Sequence, residues 1–556
     1  MRYLAVFLSF VVAFPLSARQ PVRGRNGMVV AMESIAADTG VNVLKSGGNA
    51  VDAAVAVGFV MMATHPFAGA LGGGGYMLIR MADGRSTFID FREKAPEKAT
   101  HDMYLDANGK LTRESIEGWR SAGVPGTVSG FSIAQSKYGK LSWAEDMKPA
   151  VELASKGFPL SYALAEQLKN SRSLAKDEES KRIYLKGGAF YDVGETLVLP
   201  ELAATLSRIS KNGAREFYEG ETATRFADEM EKHGGLITLS DLKNYAAVEH
   251  PPLTGQYRSY TVITAPPSSS GGIVLLQMLG MLSGSGYEKG GFGSASAIHY
   301  MAEVMRRAYA DRNTYVGDPD FIKVPTSGLL DPAYLAMRRE SIQPEKATPS
   351  VEVNPGKPVG SEGTETTHFS VVDSEGNAVA VTYTLNGGFG NGITVPGLGF
   401  LLNNEMEDFT TKTGEANLFG LVQGEANSIK AGKRPVSSMV PTILLRDGKL
   451  FMTAGAPGGS RIPTAVLQVI LNVVDFGMNV QDAVDAPRFH HQWLPDKLSL
   501  ERTNSPDTVS LLTAWGYDVD YAPGVVLAQV AAIVNDGGWL QGASDGRSPA
   551  GKASGY

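Results

Sequence analysis

The chain has 556 residues, 43 % hydrophobic and 20 % charged, with a formal net charge of −7 and no cysteine. This is the composition of a globular protein with ample core, and it gives no electrostatic reason to expect nucleic acid or an anionic membrane as partner. The missing cysteines exclude thiol catalysis, thiolate zinc sites, iron–sulfur clusters and disulfide staples.

Met1-Arg2-Tyr3 is a short positive start, and Leu4 to Leu16 is an apolar run too short to span a bilayer. Ser17-Ala18 then reads as a small-residue cleavage site, so residues 1–18 are expected to be a signal peptide and the protein to be exported, periplasmic or secreted. No later segment reaches membrane-spanning length without charge. The pattern next predicts helices over Ser34 to Lys45 and Val51 to Ala63, split by Ser46-Gly47-Gly48. The second is apolar nearly all round and should be buried. Gly72-Gly73-Gly74-Gly75 leads into a strand at Tyr76 to Ile79, with a partner at Ser86 to Phe91 across Asp83-Gly84. The tetrad lacks the Lys-Ser/Thr of a phosphate loop and reads as a close-packed turn.

Helical patterns dominate from about 125 to 345, interrupted by a strand at Tyr260 to Thr264. Lys346 to Glu365 is rich in Pro, Gly, Ser, Thr and Glu, and is expected to be a mobile surface segment. Strands follow at His368 to Val372, Asn377 to Leu385, Ile443 to Arg446 and Lys449 to Thr453. Thr464 to Phe476 is an apolar helix, and a last hairpin joins Val525 to Val534 with Trp539-Leu540. Strand groups flanked by helical groups suggest a layered α+β domain. His490-His491 is adjacent rather than helically spaced, which argues against a metal site.

The stretch Thr366-Thr367-His368-Phe369-Ser370-Val371-Val372-Asp373 carries the chemistry. An interior threonine has no base of its own. If the bond between Glu365 and Thr366 is broken, Thr366 gains an α-amino group beside its hydroxyl, with an unperturbed pKa of roughly 7.7–8.0, suited to take the hydroxyl proton near neutral pH. Read alone, Thr366-Thr367 would merely open a strand.

Other motifs accompany it: Asp90-Phe91-Arg92-Glu93, Pro266-Pro267-Ser268-Ser269-Ser270-Gly271-Gly272, Gly317-Asp318-Pro319-Asp320-Phe321, Leu401-Leu402-Asn403-Asn404, Lys433-Arg434-Pro435-Val436-Ser437-Ser438-Met439 and Pro457-Gly458-Gly459-Ser460-Arg461. By their number and order the sequence resembles the γ-glutamyltranspeptidases, or glutathione hydrolases, self-cleaving enzymes of the N-terminal nucleophile hydrolase class. The resemblance covers almost the whole chain. It implies a four-layer αββα sandwich built from two autoproteolytic fragments, a large subunit 19–365 and a small subunit 366–556 that associate with each other. It also implies γ-glutamyl donors such as glutathione, amino acid or dipeptide acceptors, and no cofactor or metal.

The resemblance makes Thr366 the nucleophile for both self-cleavage and donor attack. Thr382 and Thr384 share a strand face, so facing alone does not choose between them; the resemblance selects Thr384 as the nucleophile's hydrogen-bond partner. It matches Gly458-Gly459 to an oxyanion hole of backbone N–H groups. A γ-glutamyl donor carries an α-carboxylate and an α-ammonium. Arg92 can hold the first with Ser437 and Ser438 adding hydroxyls, and Asn386, Glu405 and Asp408 can surround the second. Two departures stand out: Phe419 occupies a lid position where many bacterial relatives have tyrosine, and Glu405 stands where some have glutamine. The competing readings are a cephalosporin-acylase-like enzyme acting on glutaryl amides, which lack the ammonium, and an uncleaved γ-glutamyl-peptide-binding protein.

Overall fold

A computed structural model describes residues 19–69, 71–356, 367–521 and 526–556. Two seven-stranded antiparallel sheets lie face to face. One runs Lys552–Gly555, Gly27–Ala31, Thr367–Asp373, Ala378–Thr384, Gly74–Arg80, Ser86–Phe91, Val248–His250; the other runs Val22–Gly24, Trp539–Ser544, Ala531–Asp536, Lys449–Gly455, Thr442–Arg446, Tyr260–Thr264, Leu253–Tyr257. Ser34–Lys45 and Ala50–Thr64 cover the first sheet, and Gly271–Leu282 and Ile462–Val474 the second. The result is the expected four-layer αββα sandwich.

Each layer follows from local chemistry. Asn49 caps Ala50–Thr64 in a reciprocal box with Asp52, and all fifteen residues of this helix are buried, as its all-round apolar surface requires. The period of two sorts the second sheet: Ile443, Leu445 and Ile533 join the core shared with the first sheet, while Leu444, Met452 and Val534 pack under the outer helices. The central strands are the best legible from sequence. Thr367–Asp373 pairs with Ala378–Thr384 from Thr367↔Tyr383 to Val372↔Ala378, and the latter pairs with Gly74–Arg80. Gly73 and Gly75 let this neighbour come close, because a Cβ on Gly73 would lie 1.9 Å from the Thr384 carbonyl oxygen and one on Gly75 2.3 Å from that of Thr382.

Two expectations need correction. The segment from Lys346 is fastened as far as Gly356: Ala347 N–H donates to Trp515 O, Ser350 N–H to Asp496, and Gly356 N–H to Asp311. Its composition concealed these backbone bonds to distant residues; the expected continuation over 357–365 lies outside the described residues. The last hairpin pairs Ala531–Asp536 with Trp539–Ser544, starting later than Val525. Arg488 Nη1 takes the carbonyls of Leu527 and Ala528, so that stretch serves a side chain in place of a neighbouring strand. Among the described residues no helix is long and apolar enough to cross a membrane. The expected leader 1–18 lies outside them.

Candidate active site

Thr366 and Glu365 lie outside the described residues; the first strand opens at Thr367. Around its partner strand the predicted residues fall into two groups.

The first group lines a cavity of about 420 Å³ whose wall includes Thr384, Asn386, Phe419, Gly458, Gly459, His65, Phe67 and Ala528. The structure separates the two candidate threonines. Thr382 Oγ1 is engaged by His368 Nδ1 at 2.9 Å between the sheets, whereas Thr384 reaches the cavity and its Oγ1 accepts the Asn386 N–H at 2.8 Å. Burial pushes His368 down to about 3, so this imidazole is neutral. Asn386 sits at φ +70, turns its Nδ2 to the Asn404 carbonyl at 3.0 Å, and leaves Oδ1 with no hydrogen-bond partner among the described residues. Gly458 and Gly459 have φ of +136 and +69 and join the strand Lys449–Gly455 to a short 3-10 turn before Ile462–Val474. Successive N–H groups in such a turn suit a developing oxyanion.

The second group is a buried charge cluster. Arg92, which an isolated reading would put in a surface ion pair, is wholly shielded from solvent. Its Nη1 lies 2.5 Å from Glu405 Oε1 and 3.4 Å from Glu93 Oε2, and its Nη2 lies 2.5 Å from Asp408 Oδ2. The carboxylates hold the Arg92 guanidinium above its ordinary value despite its burial, while burial pushes Glu405 up and Glu93 well up. One guanidinium thus faces three carboxyl groups. Arg92 Nε also donates to Pro435 O at 3.2 Å, which brings in the Ser437-Ser438 segment. Both serines are fully buried, and Ser438 Oγ has no partner among the described residues.

None of Arg92, Glu405, Asp408, Ser437 and Ser438 is in the cavity wall. The link is the Asn403-Asn404 pair. Asn403 takes Gly72 O, Gly123 O, Gly123 N–H and Glu405 N–H, and Asn404 takes Gly387 N–H, Ile116 O and the Asn386 amide. These two residues set the 3-10 turn Glu405–Asp408 behind Asn386.

The remaining motifs converge on the same place. Asp90 accepts from Arg92 N and Ser268 Oγ and faces Arg434; Asp318 accepts the Arg434 N–H; Ser269 and Ser270 donate to the Ser437 carbonyl. Sequence reasoning gave no role to Glu93, Glu407, Ser460 or Gln492. Glu407 stands between the candidates Glu405 and Asp408, but its partner is the backbone N–H of Leu418, which no side-chain pattern reveals. His490 joins Thr464 Oγ1 and Gln492 Oε1 inside the fold. Among the described residues no group of three His, Asp or Glu is set to hold a metal ion.

A helix–sheet–sheet–helix sandwich with this arrangement at one sheet end defines the N-terminal nucleophile hydrolase class. The similarity to known proteins is narrower. Residues 36–556 match the Gamma-glutamyltranspeptidase family profile, and the chain belongs to that family. It is 50 % identical to the glutathione hydrolase proenzyme of Escherichia coli (strain K12), over 96 % of this chain and 93 % of that one. Among solved structures it resembles a cephalosporin acylase from Bacillus halodurans, at 27 % identity and a TM-score of 0.87 over 99 % of both chains. It also resembles the Helicobacter pylori gamma-glutamyltranspeptidase, at 40 % identity and a TM-score of 0.58 over 62 % of this chain and 97 % of that chain.

Proposed function

We propose that this enzyme matures by cutting itself before Thr366 and then cleaves the γ-glutamyl bond of glutathione and related compounds through a γ-glutamyl–Thr366 ester. In maturation the Thr366 hydroxyl attacks the Glu365 carbonyl; the C–N bond breaks as the C–O bond forms, the amine takes the proton, and water hydrolyses the ester. Fragments 19–365 and 366–556 stay associated, since both contribute hydrogen-bonded strands to each of the two sheets. In turnover the freed amine of Thr366 takes the hydroxyl proton and returns it to the leaving amine. Thr384 orients the nucleophile from the strand that faces Tyr383 to Thr367. The N–H groups of Gly458-Gly459 receive the oxyanion. Water or the amine of an amino acid or dipeptide then takes the acyl group.

The observation that carries this reading is the buried Arg92–Glu405–Asp408 cluster, which lies behind the cavity-wall residue Asn386 and is joined to it through the Asn404 backbone. A γ-glutamyl donor brings both charge signs on one carbon, so it can exchange the internal pairing for one in which Arg92, Ser437 and Ser438 hold its carboxylate and Asn386, Glu405 and Asp408 its ammonium. A glutaryl donor has no ammonium and would leave these carboxyl groups buried without a cation from the ligand, which disfavours the acylase reading. Removal of residues 1–18 and export complete the proposal.

The test is a denaturing gel and N-terminal sequencing, followed by a time course with glutathione with and without a dipeptide. Two bands, with the smaller reading Thr-Thr-His-Phe, and release of glutamate are expected. Thr366→Ala should stay a single chain; a cut elsewhere would remove Thr366 from its role, and an uncut wild type would favour the binding-protein reading.

A further inference from the structure

The turn Asn417–Leu421 braces itself: Asn417 Oδ1 accepts the N–H groups of Phe419 and Leu421, and Asn417 N–H donates to Leu421 O at 3.0 Å. Gly420, at φ +75, allows the reversal. Phe419 enters the wall of the cavity that holds Thr384 and Gly459. Leu418 faces a neighbouring cavity of about 860 Å³, which shares Gly388 with the first. The turn therefore stands between the candidate acyl site and an adjoining open groove.

Two bonds secure it to the rest of the molecule. Leu418 N–H donates to Glu407 Oε1 at 2.7 Å, and Phe419 O accepts from Gln492 Nε2 at 3.2 Å. Glu407 is 4 % exposed, sits in the Glu405–Asp408 turn, and has an Oε2 without a hydrogen-bond partner among the described residues. On the other side Gln492 Oε1 accepts the Ser460 Oγ–H at 2.6 Å, next to Gly459. A buried carboxyl with one free oxygen is costly and needs a reason. Its Oε1 goes to the turn that carries Phe419, and the Asn386 side chain also lies against the carboxyl.

We propose that Glu407 is a positioning residue that holds the Asn417–Leu421 turn over the acyl site through the Leu418 N–H, with Gln492 securing the other end. The acyl-enzyme ester is open to both water and the acceptor amine, so a turn held in place favours transfer by limiting water. This rests on the functional reading above and names what sets its partition. Burial pushes the Glu407 carboxyl up to about 8, so near neutral pH it accepts the N–H largely as the neutral acid. Glutamine reproduces that acceptor and alanine does not.

The experiment compares wild type with Glu407→Gln, Glu407→Ala and Leu418→Pro, the last removing the donor N–H from an exposed side chain's backbone. Glutathione and glycylglycine serve as donor and acceptor; products, donor KM, kcat and fraction processed are measured. Glu407→Gln should keep the wild-type ratio of adduct to glutamate. Glu407→Ala and Leu418→Pro should lower it by about 3- to 10-fold, the range expected for one lost hydrogen bond, and the double variant should be no worse than either. A processed Glu407→Ala with the wild-type ratio, or a Glu407→Gln as impaired as the alanine, overturns the tether. If Glu407→Ala does not fold, an unchanged ratio in Leu418→Pro overturns it equally. An uncut, inactive wild type overturns the functional reading itself and the tether with it, whereas normal wild-type turnover isolates the tether.

Discussion

The Arg92 guanidinium and the Asp408 carboxylate meet at 2.5 Å in a part of the fold that water does not reach. These residues are 316 positions apart and lie on opposite sides of the proposed cut. Removing one member of such a pair leaves the other charge buried and uncompensated, which costs more than the pair contributes. Asp408 is therefore expected to serve both the union of the fragments and the grip on a donor.

Asp408→Asn should weaken γ-glutamyl donors far more than glutaryl analogues, because only the former bring an ammonium that needs this charge. Loss of one partner of a desolvated charge pair costs about 2–5 kcal/mol. Glu405 and Glu93 still face Arg92, so the guanidinium keeps neighbours and the variant should fold with a lowered thermal midpoint. Equal losses in kcat/KM on both donor types would make Asp408 structural only.

How far the sequence discloses this site depends on the kind of contact. The strand Ala378–Thr384 and the helix Ala50–Thr64 were legible because periodicity and turn residues are local signals. Arg92 was legible as chemistry but not as geometry: a lone arginine in Asp-Phe-Arg-Glu reads as a surface ion pair, and only folding brings Glu405 and Asp408 to it. Strand facing left Thr382 and Thr384 equivalent and only the resemblance preferred Thr384; that His368 occupies Thr382 from the neighbouring strand is visible only in the fold. The Leu418–Glu407 bond uses a backbone donor and leaves no trace in composition. Conversely, the tie of Gly356 to Asp311 overrode a polar, proline-containing stretch that reads as unattached.

Gly458→Ala should cut kcat with less effect on donor KM. At φ +136 the added Cβ would lie 2.6 Å from the Cβ and 2.7 Å from the Cα of Ala528, so the turn must shift and carry its N–H groups off line. Losing one oxyanion donor lowers kcat by about 100- to 1,000-fold. Gly477, at φ +66 with nothing within 4 Å of its would-be Cβ, is the control: Gly477→Ala bears only the milder left-handed backbone penalty and no clash. Rates are compared on fully processed protein. If both variants turn over alike, the Gly458 turn is not part of the catalytic apparatus.

Asp146→Asn should raise stability and flatten its dependence on pH. Asp146 lies in the helix Trp143–Lys156, is fully buried, and neither carboxyl oxygen has a hydrogen-bond partner among the described residues. Burial first, then the charge of Asp52, pushes its carboxyl up to about 9. A folded-state pKa raised above the unfolded one means that the group favours the fold below its unfolded pKa, near 3.8, and that this advantage is lost as pH climbs to about 9. At about pH 8 the variant should gain on the order of 2 kcal/mol, since the structure relaxes around a buried charge. Thermal midpoints of both proteins at about pH 5, 7 and 9 provide the check. A gap that fails to widen with pH would show that Asp146 is not a buried neutral acid.

Phe419→Tyr should raise the ratio of transfer to hydrolysis. Phe419 and Asn386 share one cavity wall, and Asn386 Oδ1 has no partner among the described residues, so a tyrosine hydroxyl there has an acceptor to which it can donate. That bond would add a third fastening to a turn already secured at Leu418 N–H and Phe419 O. One extra hydrogen bond across the opening should move the ratio about 3- to 10-fold toward the dipeptide adduct, with the gain greatest at low acceptor concentration, where water competes best. The measurement is the partition of a fixed γ-glutamyl donor between glutamate and adduct in matched preparations. An unchanged ratio would mean that the ring at 419 only packs, and that closure of the site depends on the backbone of the turn alone.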